Sequence, residues 1–539
     1  MKKRQLLVFM LVLGLCLSFI GCKATDTPQS GVSGGTVSDG VVSQPLGSEP
    51  SGEDASSPDG ASSQPEASGD PTVSSSGGSA ASQPSSGKPG QEVSGEVTVA
   101  VNTARATDYK GLFDQFAKAY PNIKLKFQYF QHKNTDENKD NAMEFLTAQA
   151  STNSMPDIVF DDAGFLTYYI SQGWVYPVDE FVKNDAEFKD IPQNILNCYK
   201  FGGQLYALPG SLHFNGVFIN LDAMNELNLK HPALDWDFND MADFLKKGTT
   251  AKFSGIEDYL NKEIMHYSAL YNTKGGAVFC YDMNDRKVDL NGFTQAVAYV
   301  KQLHQYPGLV AKSLKDNQNP SSYVRKFGQS NISAQDQGLT LVQPGIGSWV
   351  FNTIRGKEFK YEYELWPAPQ QEKGRMAMHV DYSFMTSVTK NPKAAFELLR
   401  YVTYGVDGNL ARLGMYDKAN KGKYELNSKY YFPATQNKQV KAKFESLPSV
   451  GKYETYCYQN AQKCFLIDNE KFVPNWKDMQ NGLILPQIEK ILSGTANADD
   501  VVADLENKAN SYLKARWDAF DKQLKTVQAQ FAAKKAAGK

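Results

Sequence analysis

The sequence lacks a surplus of either charge. Its 57 Lys and Arg stand against 59 Asp and Glu, a formal net charge of −2. That balance excludes a strong pull on nucleic acid or on an anionic membrane face, so no nucleic-acid partner is expected. Cysteine is scarce too: six in 539 residues. Cys16 and Cys22 lie in the first segment of the chain, which leaves Cys198, Cys280, Cys457 and Cys464. Neither their spacing nor neighbouring histidines form a zinc pattern. On a shared helix, Cys457 and Cys464 would sit about 10 Å apart, too far to bridge. Four free thiols, no metal and no cofactor are therefore expected. Beyond residue 20 no apolar run approaches the roughly 20 residues of a membrane span. The folded part also carries no nucleophile elbow, zinc-helix signature or phosphate-gripping glycine loop, which argues against a catalytic role.

What is present begins at the N-terminus. Lys2, Lys3 and Arg4 precede an apolar run from Leu6 to Ile20, followed at once by Gly21-Cys22. A charged stretch, a short apolar stretch and a small residue before a cut describe a secretory signal. The Cys after Ile20-Gly21 resembles the bacterial lipobox, although Phe19 departs from the usual aliphatic residue. Residues 1–21 are thus expected to be a lipoprotein signal peptide, with Cys22 carrying the lipid, palmitate included. Lipidation would hold the chain on the extracellular face of the cell membrane; a plain secretory signal is the alternative. Residues 22–95 form the next unit: from Lys23 to about Val93 they are Ser, Gly, Pro, Ala, Asp and Gln with almost no large apolar side chains. Such a segment buries too little surface to offset chain entropy and reads as a disordered tether. A flexible coil of that length averages roughly 45 Å end to end, which suits a thick Gram-positive wall.

The rest is aromatic-rich and longer than the about 250–300 residues that one core sustains. Val97, Val99 and Val101 alternate as a strand. Tyr109, Leu112, Phe113, Phe116 and Tyr120 then recur at helical spacing, with Asp108 as the expected cap and Pro121 as the stop. Ile123 to Tyr129 alternates again, a helix follows over about 139–150, and Asp157 to Phe160 is a short strand. This β-α-β-α-β order predicts parallel strands with right-handed crossovers, and ligands outside their carboxyl ends. Those ends are Asn102 to Arg105 and Asp161 to Gly164. Residues 202–209 read as a hairpin leading to a strand from about Gly216 to Asn220. Helices are expected at 239–247, capped by Asn239 or Asp240, and at 293–306, 393–404 and 499–516.

Several segments, in order, resemble one family. "FAKAYPNIKL", "MPDIVF" with "GWVYPVDEF", "YALPGSLHFNGVFINLDAM", "LDWDFNDMADFLKK", "GIGSWV" and "SVTKNPKAAFELLRYV" are similar to motifs of family 1, maltose-binding-like extracellular solute-binding proteins of ABC sugar importers. Each is weak alone; their ordered combination over most of 96–520 is specific. Residues 310–335 and 415–460 match no motif of the family. The resemblance implies an α/β, two-lobe periplasmic-binding-protein-like fold of type II, with mostly parallel sheets flanked by helices and a hinge crossed more than once. Lobe 1 is expected at 96–212 and again at 383–433; lobe 2 at 213–382 and at 434–539, whose end is helical. It further implies a monomeric, lipid-anchored receptor. Such a receptor captures a carbohydrate, an oligosaccharide by preference, in the cleft and passes it to a transmembrane permease.

Candidate ligand residues follow. Trp349, in Gly347-Ser348-Trp349, offers a flat face for a sugar's C–H surface; its alternative is a core ring. Trp476 lies near where the family places another stacking ring. Asp161, Asp162 and Arg105, on strand-end loops, suit bidentate hydrogen bonds to vicinal hydroxyls, with one aspartate free instead to cap a helix. Asp381 and Tyr382 stand where the chain recrosses the hinge, and His213 at the first crossing, where a structural histidine is the commoner case. Tyr267 and Tyr271 share a helical face and serve equally as core or as stacking rings. Trp174, Trp236 and Trp366 read as core. The rival classes are a surface glycoside hydrolase or lyase, a binding protein for a non-sugar solute, and a wall adhesin. A glycosidase needs two carboxylates about 5–10 Å apart, and adjacent strand residues such as Asp161 and Asp162 point to opposite sides.

Overall fold

The computed structural model describes residues 92–103, 106–130, 142–162, 164–272, 279–312, 314, 334–348, 360–419, 431–448 and 450–537. The signal peptide, Cys22 and the tether up to residue 91 lie outside the described residues, as do Arg105 and Trp349.

The first sheet is built as the periodicity predicts. Strand β1 (Gly95–Asn102), helix α1 (Ala106–Ala119), strand β2 (Ile123–Phe130), helix α2 (Met143–Ser151) and strand β3 (Ile158–Asp162) follow in order. β1 runs parallel to β2 from Gly95↔Ile123 to Asn102↔Phe130, and parallel to β3 at Val99↔Ile158. As the middle strand of three, β1 buries Val97, Val99 and Val101 fully. Helix α1 covers it with Leu112, Phe113 and Phe116, and Phe113 meets Phe160 of β3 edge-on at 5.3 Å. Helix α3 (Leu166–Ser171) and a small hairpin, β4 (Lys200–Phe201) with β5 (Gln204–Leu205), complete this side.

One strand then joins two sheets. β6 runs unbroken for 13 residues, Leu208–Asn220. Its first half pairs antiparallel with β12 (Ala377–Met385), which in turn pairs antiparallel with β3. Its second half pairs antiparallel with β10 (Thr340–Gly347) and with β11 (Tyr363–Pro367). β10 continues in parallel to β7 (Ser254–Ile256). The sequence reading began this strand at Gly216, because the partner that draws in Leu208 to Phe214 is more than 160 residues away. Gly216 marks the change of partner, and only glycine fits: a Cβ there would overlap the carbonyl oxygen of Trp366.

Helices flank both sheets. On the second side lie α4 (Phe238–Gly248), α5 (Glu263–Tyr271), a hairpin of β8 (Tyr281–Asp282) and β9 (Lys287–Val288), and α6 (Phe293–Gln305). α7 (Pro392–Val402) carries proline at its first turn, as expected, and packs on β12 and β1. Near the end come α8 (Lys452–Gln459), β13 (Phe465–Leu466) paired with β12, α9 (Asn469–Phe472) and α10 (Ala498–Ala536).

Three local expectations are corrected. Asp237, not Asn239 or Asp240, caps α4: its side chain accepts from Asp240 N at 2.8 Å while Asp240 accepts from Asp237 N at 3.1 Å, a reciprocal capping box. α10 does not stop at 516 but runs to Ala536, because Trp517, Phe520, Leu524 and Val527 extend its buried stripe past Arg516. Asp108 does not cap α1, because that helix already begins at Ala106. The four thiols are free, as expected, and buried, with Cys457 on α8 and Cys464 beyond it. Among the described residues no helix is long and apolar enough to cross a membrane. Replacing the cap, Asp237→Ala, should cost about 1 kcal/mol, read as a lower urea midpoint with an unchanged circular dichroism spectrum.

Candidate functional site

Parallel β1 and β3 end on the same side, so the loops after Asn102 and Asp162 share one edge. Asp161 and Asp162 are the last two residues of β3 rather than loop residues. Antiparallel β12 brings Tyr382 opposite Asp162 and Asp381 beside it. The Tyr382 hydroxyl donates to Gly164 O at 2.8 Å, which ties the turn after β3 to the crossing strands. Its ring is fully buried, edge-on to Tyr199 at 5.9 Å.

Strand periodicity does the rest. Residues two apart share a face, so β6 presents Ser211 and His213 together, and β12 presents His379 and Asp381. The register sets His379 against His213 and Asp381 against Ser211. The result is a four-residue polar face where the two strands pair. Asp381 Oδ2 lies 3.1 Å from His213 Nε2, and its Oδ1 lies 3.6 Å from Lys471 Nζ. Lys471, on α9, also reaches Asp468 Oδ2 at 3.2 Å and donates to Val380 O. Asp468 Oδ1 meets His379 Nδ1 at 2.6 Å, and its Oδ2 accepts from Val380 N at 2.8 Å. Asp381, Asp468 and Lys471 side chains are each under a tenth exposed.

Burial alone would push the Asp468 carboxyl up. The Lys471 ammonium, His379 and the Val380 N–H outweigh it and hold Asp468 down at about 2. Burial likewise opposes the charge on Lys471, but Asp468 and Asp381 keep its pKa above the ordinary lysine range. Glu470 is raised, by burial first and then by the Asp468 charge.

A second group collects on the other side of Gly216. β10 bulges between Gln343 and Ile346, and Gly345 there has φ +69°. A Cβ on Gly345 would overlap the Glu263 carboxylate of α5. Glu263 Oε2 lies 3.1 Å from His266 Nδ1. His266 Nε2, Asn215 Oδ1 (β6, opposite Gly347) and Ser348 Oγ are buried without a hydrogen-bond partner among the described residues. Buried polar atoms left bare near a bulge are where a bound polar solute would complete the bonding. Sequence reasoning missed Glu263, His266 and Asn215. The only signal was their proximity in sequence to the Tyr267 face and to the crossing strand.

The other candidates sit as follows. Tyr267 is fully buried between Phe238 and Tyr299, with ring centroids 5.3 and 5.6 Å away. Tyr271 is half-buried and stacks on Phe238 at 4.1 Å. Trp476 is buried against Tyr281 at 5.7 Å, its indole N–H donating to Gln480 Oε1 at 3.0 Å. In this structure these rings are packing residues. Trp236 is core as expected, its N–H donating to Pro367 O at 2.7 Å. Side chains of Asp161 and Asp162 lie outside the described residues. Two surface grooves, of about 470 and 540 Å³, are lined by Leu234 with 450–459 and by 290–295 with 499–507. They share no residue with either polar group, so shape alone does not locate the site.

Residues 100–403, more than half of the chain, match the sequence profile of the bacterial extracellular solute-binding protein family. The chain belongs to that family. Solved structures bear out the two-lobe fold of this solute-binding protein at low identity. It is 15% identical to a cyclic α-maltosyl-1,6-maltose binding protein from Arthrobacter globiformis, covering 78% of this chain and 100% of that one, with a TM-score of 0.58. A sugar transporter from Rhizobium etli in an open conformation is 16% identical over 77% and 99%, with a TM-score of 0.57. The sugar-binding protein MalE from Xanthomonas citri is 14% identical over 78% and 98%, at 0.55.

Removing Lys471 strands two buried carboxylates, so Lys471→Met should destabilise the solute-binding protein by roughly 3–5 kcal/mol in urea. The depressed Asp468 contributes stability that is present above the carboxylate's unfolded pKa and fades as pH falls from about 4 toward about 2, on the order of 2 kcal/mol. In Asp468→Asn the decline in urea midpoint over that window should be correspondingly smaller; equal declines would mean the carboxylate is not held down.

Proposed function

We propose that this solute-binding protein is a lipid-anchored receptor that grips a carbohydrate between two lobes and hands it to the permease of an ABC importer. Family membership and the single strand β6 shared by both sheets carry the reading. A strand common to two sheets is a hinge: small φ/ψ changes near Gly216 swing one sheet against the other. The lobes are taken as 96–212 with 383–433 and 213–382 with 434–539.

Within that frame, His213 and Asp381 supply polar groups from one side of the hinge, and Glu263, His266 and Asn215 supply them from the other. Carboxylates and imidazoles accept and donate to vicinal hydroxyls without needing a charged solute, which suits a neutral sugar. Trp349 and Arg105, Asp161 and Asp162 remain proposed partners, with the indole as the stacking face. The relatives' own ligands point the same way: cyclic α-maltosyl-1,6-maltose, cycloalternan and α-D-tagatose are bound by proteins of this fold. The anchor reading rests on Gly21-Cys22 after a short apolar run, with residues 22–95 as the tether.

A thermal-shift screen against mono- and oligosaccharides tests it. A bound sugar at a hundred times its Kd should add about 2.7 kcal/mol of stability. Trp349→Ala should weaken that sugar at least tenfold, about 1.4 kcal/mol, with the melting temperature of the free protein unchanged. Hydrolysis of the sugar at micromolar protein, or no shift with any sugar, would overturn the reading.

A further inference from the structure

Helix α10 is bolted to both sides of the β6 crossing. Its first two-thirds grip the second side: Asn510 Oδ1 accepts from Val288 N at 2.7 Å, and the Arg286 guanidinium pairs with Asp521 at 2.6 Å while lying over the Trp517 ring. Its last third grips residues that precede β6. Gln528 Nε2 donates to Gly202 O at 3.2 Å and to Gln204 Oε1 at 2.9 Å. Phe531 meets Tyr176 edge-on at 5.5 Å, and Lys535 pairs with Glu180. Tyr176 is itself fastened to the first sheet, its N–H donating to Met385 O of β12 at 2.8 Å. Phe201 of the β4–β5 hairpin packs on both Trp517 and Phe520, where the two sets of contacts meet.

A 39-residue helix is a rod of roughly 58 Å that cannot lengthen. If the two sheets turn about β6, this rod follows one of them and slides or detaches from the other. The longer part buries Leu505, Leu513, Trp517 and Phe520, whereas the described tail buries Leu524 and Val527 and beyond them holds through Gln528, Phe531 and the exposed Lys535–Glu180 pair, so the tail is the end that yields. We propose that the tail of α10, residues 524–536, is a strap that sets the resting angle between the two sheets and limits how freely the cleft opens. The device acts on the hinge whatever the solute, and does not require the ligand to be a sugar.

The test places spin labels at Lys183→Cys and Gln302→Cys in the full chain with Cys16 and Cys22 replaced by serine. The four remaining thiols are buried and stay unlabelled. Without any ligand, Gln528→Ala combined with Phe531→Ala should widen the interlabel distance distribution at least about twofold. The surface variant Lys535→Glu should widen it by a smaller factor and leaves the core untouched, so it is decisive even if the double variant loses helicity. Asn510→Ala, whose contact stays within one side, should leave the distribution as it is. Unchanged widths in the tail variants, or equal widening in Asn510→Ala, would overturn the strap.

Discussion

The whole arrangement depends on one hydrogen-bonded strand being a member of two sheets. A strand's N–H and C=O groups must be paired wherever they are buried, and β6 satisfies this first with β12 and then with β10 and β11. That requirement fixes where each sheet begins. It also makes the residues around Gly216, where the partners change and no side chain fits, the proposed hinge. The two polar groups stand on either side of that point. The first polar group stands on Ser211, His213, His379 and Asp381, the second on Asn215, Glu263 and His266.

The two groups differ in how they are satisfied. On the first side, Asp468 from the α9 turn meets His379 and Lys471, and Asp381 meets Lys471 and His213. Such a network contributes little net stability against an apolar replacement but is costly to break from one side. On the second side, Glu263 and His266 pair with each other and leave the far ring nitrogen bare.

Much of this was legible in the sequence. Periodicity of 2 and 3.6 gave the first five elements in order, since Val97–Val101 and Tyr109–Tyr120 need no distant partner to declare themselves. Ordered short motifs gave the family, and with it the two-lobe class. The first half of β6 was not legible, because Leu208–Phe214 is a strand only by virtue of β12. The extension of α10 was missed for a related reason: Trp517 to Val527 are buried by residues more than 200 positions away. Of the site, His213, Asp381 and Tyr382 were read from their place at the crossings. The candidates Glu263 and His266 were not, because nothing local separates a ligand-binding carboxylate from an ordinary helix-start carboxylate.

The most direct test of the account is a crystal structure with the sugar that stabilises the protein most. The account predicts that sugar lying between the two polar groups, within hydrogen-bond reach of Asp381 or His213 on one side and of Glu263 or His266 on the other. A sugar seated on one lobe alone, or in a groove away from the β6 crossing, would contradict it.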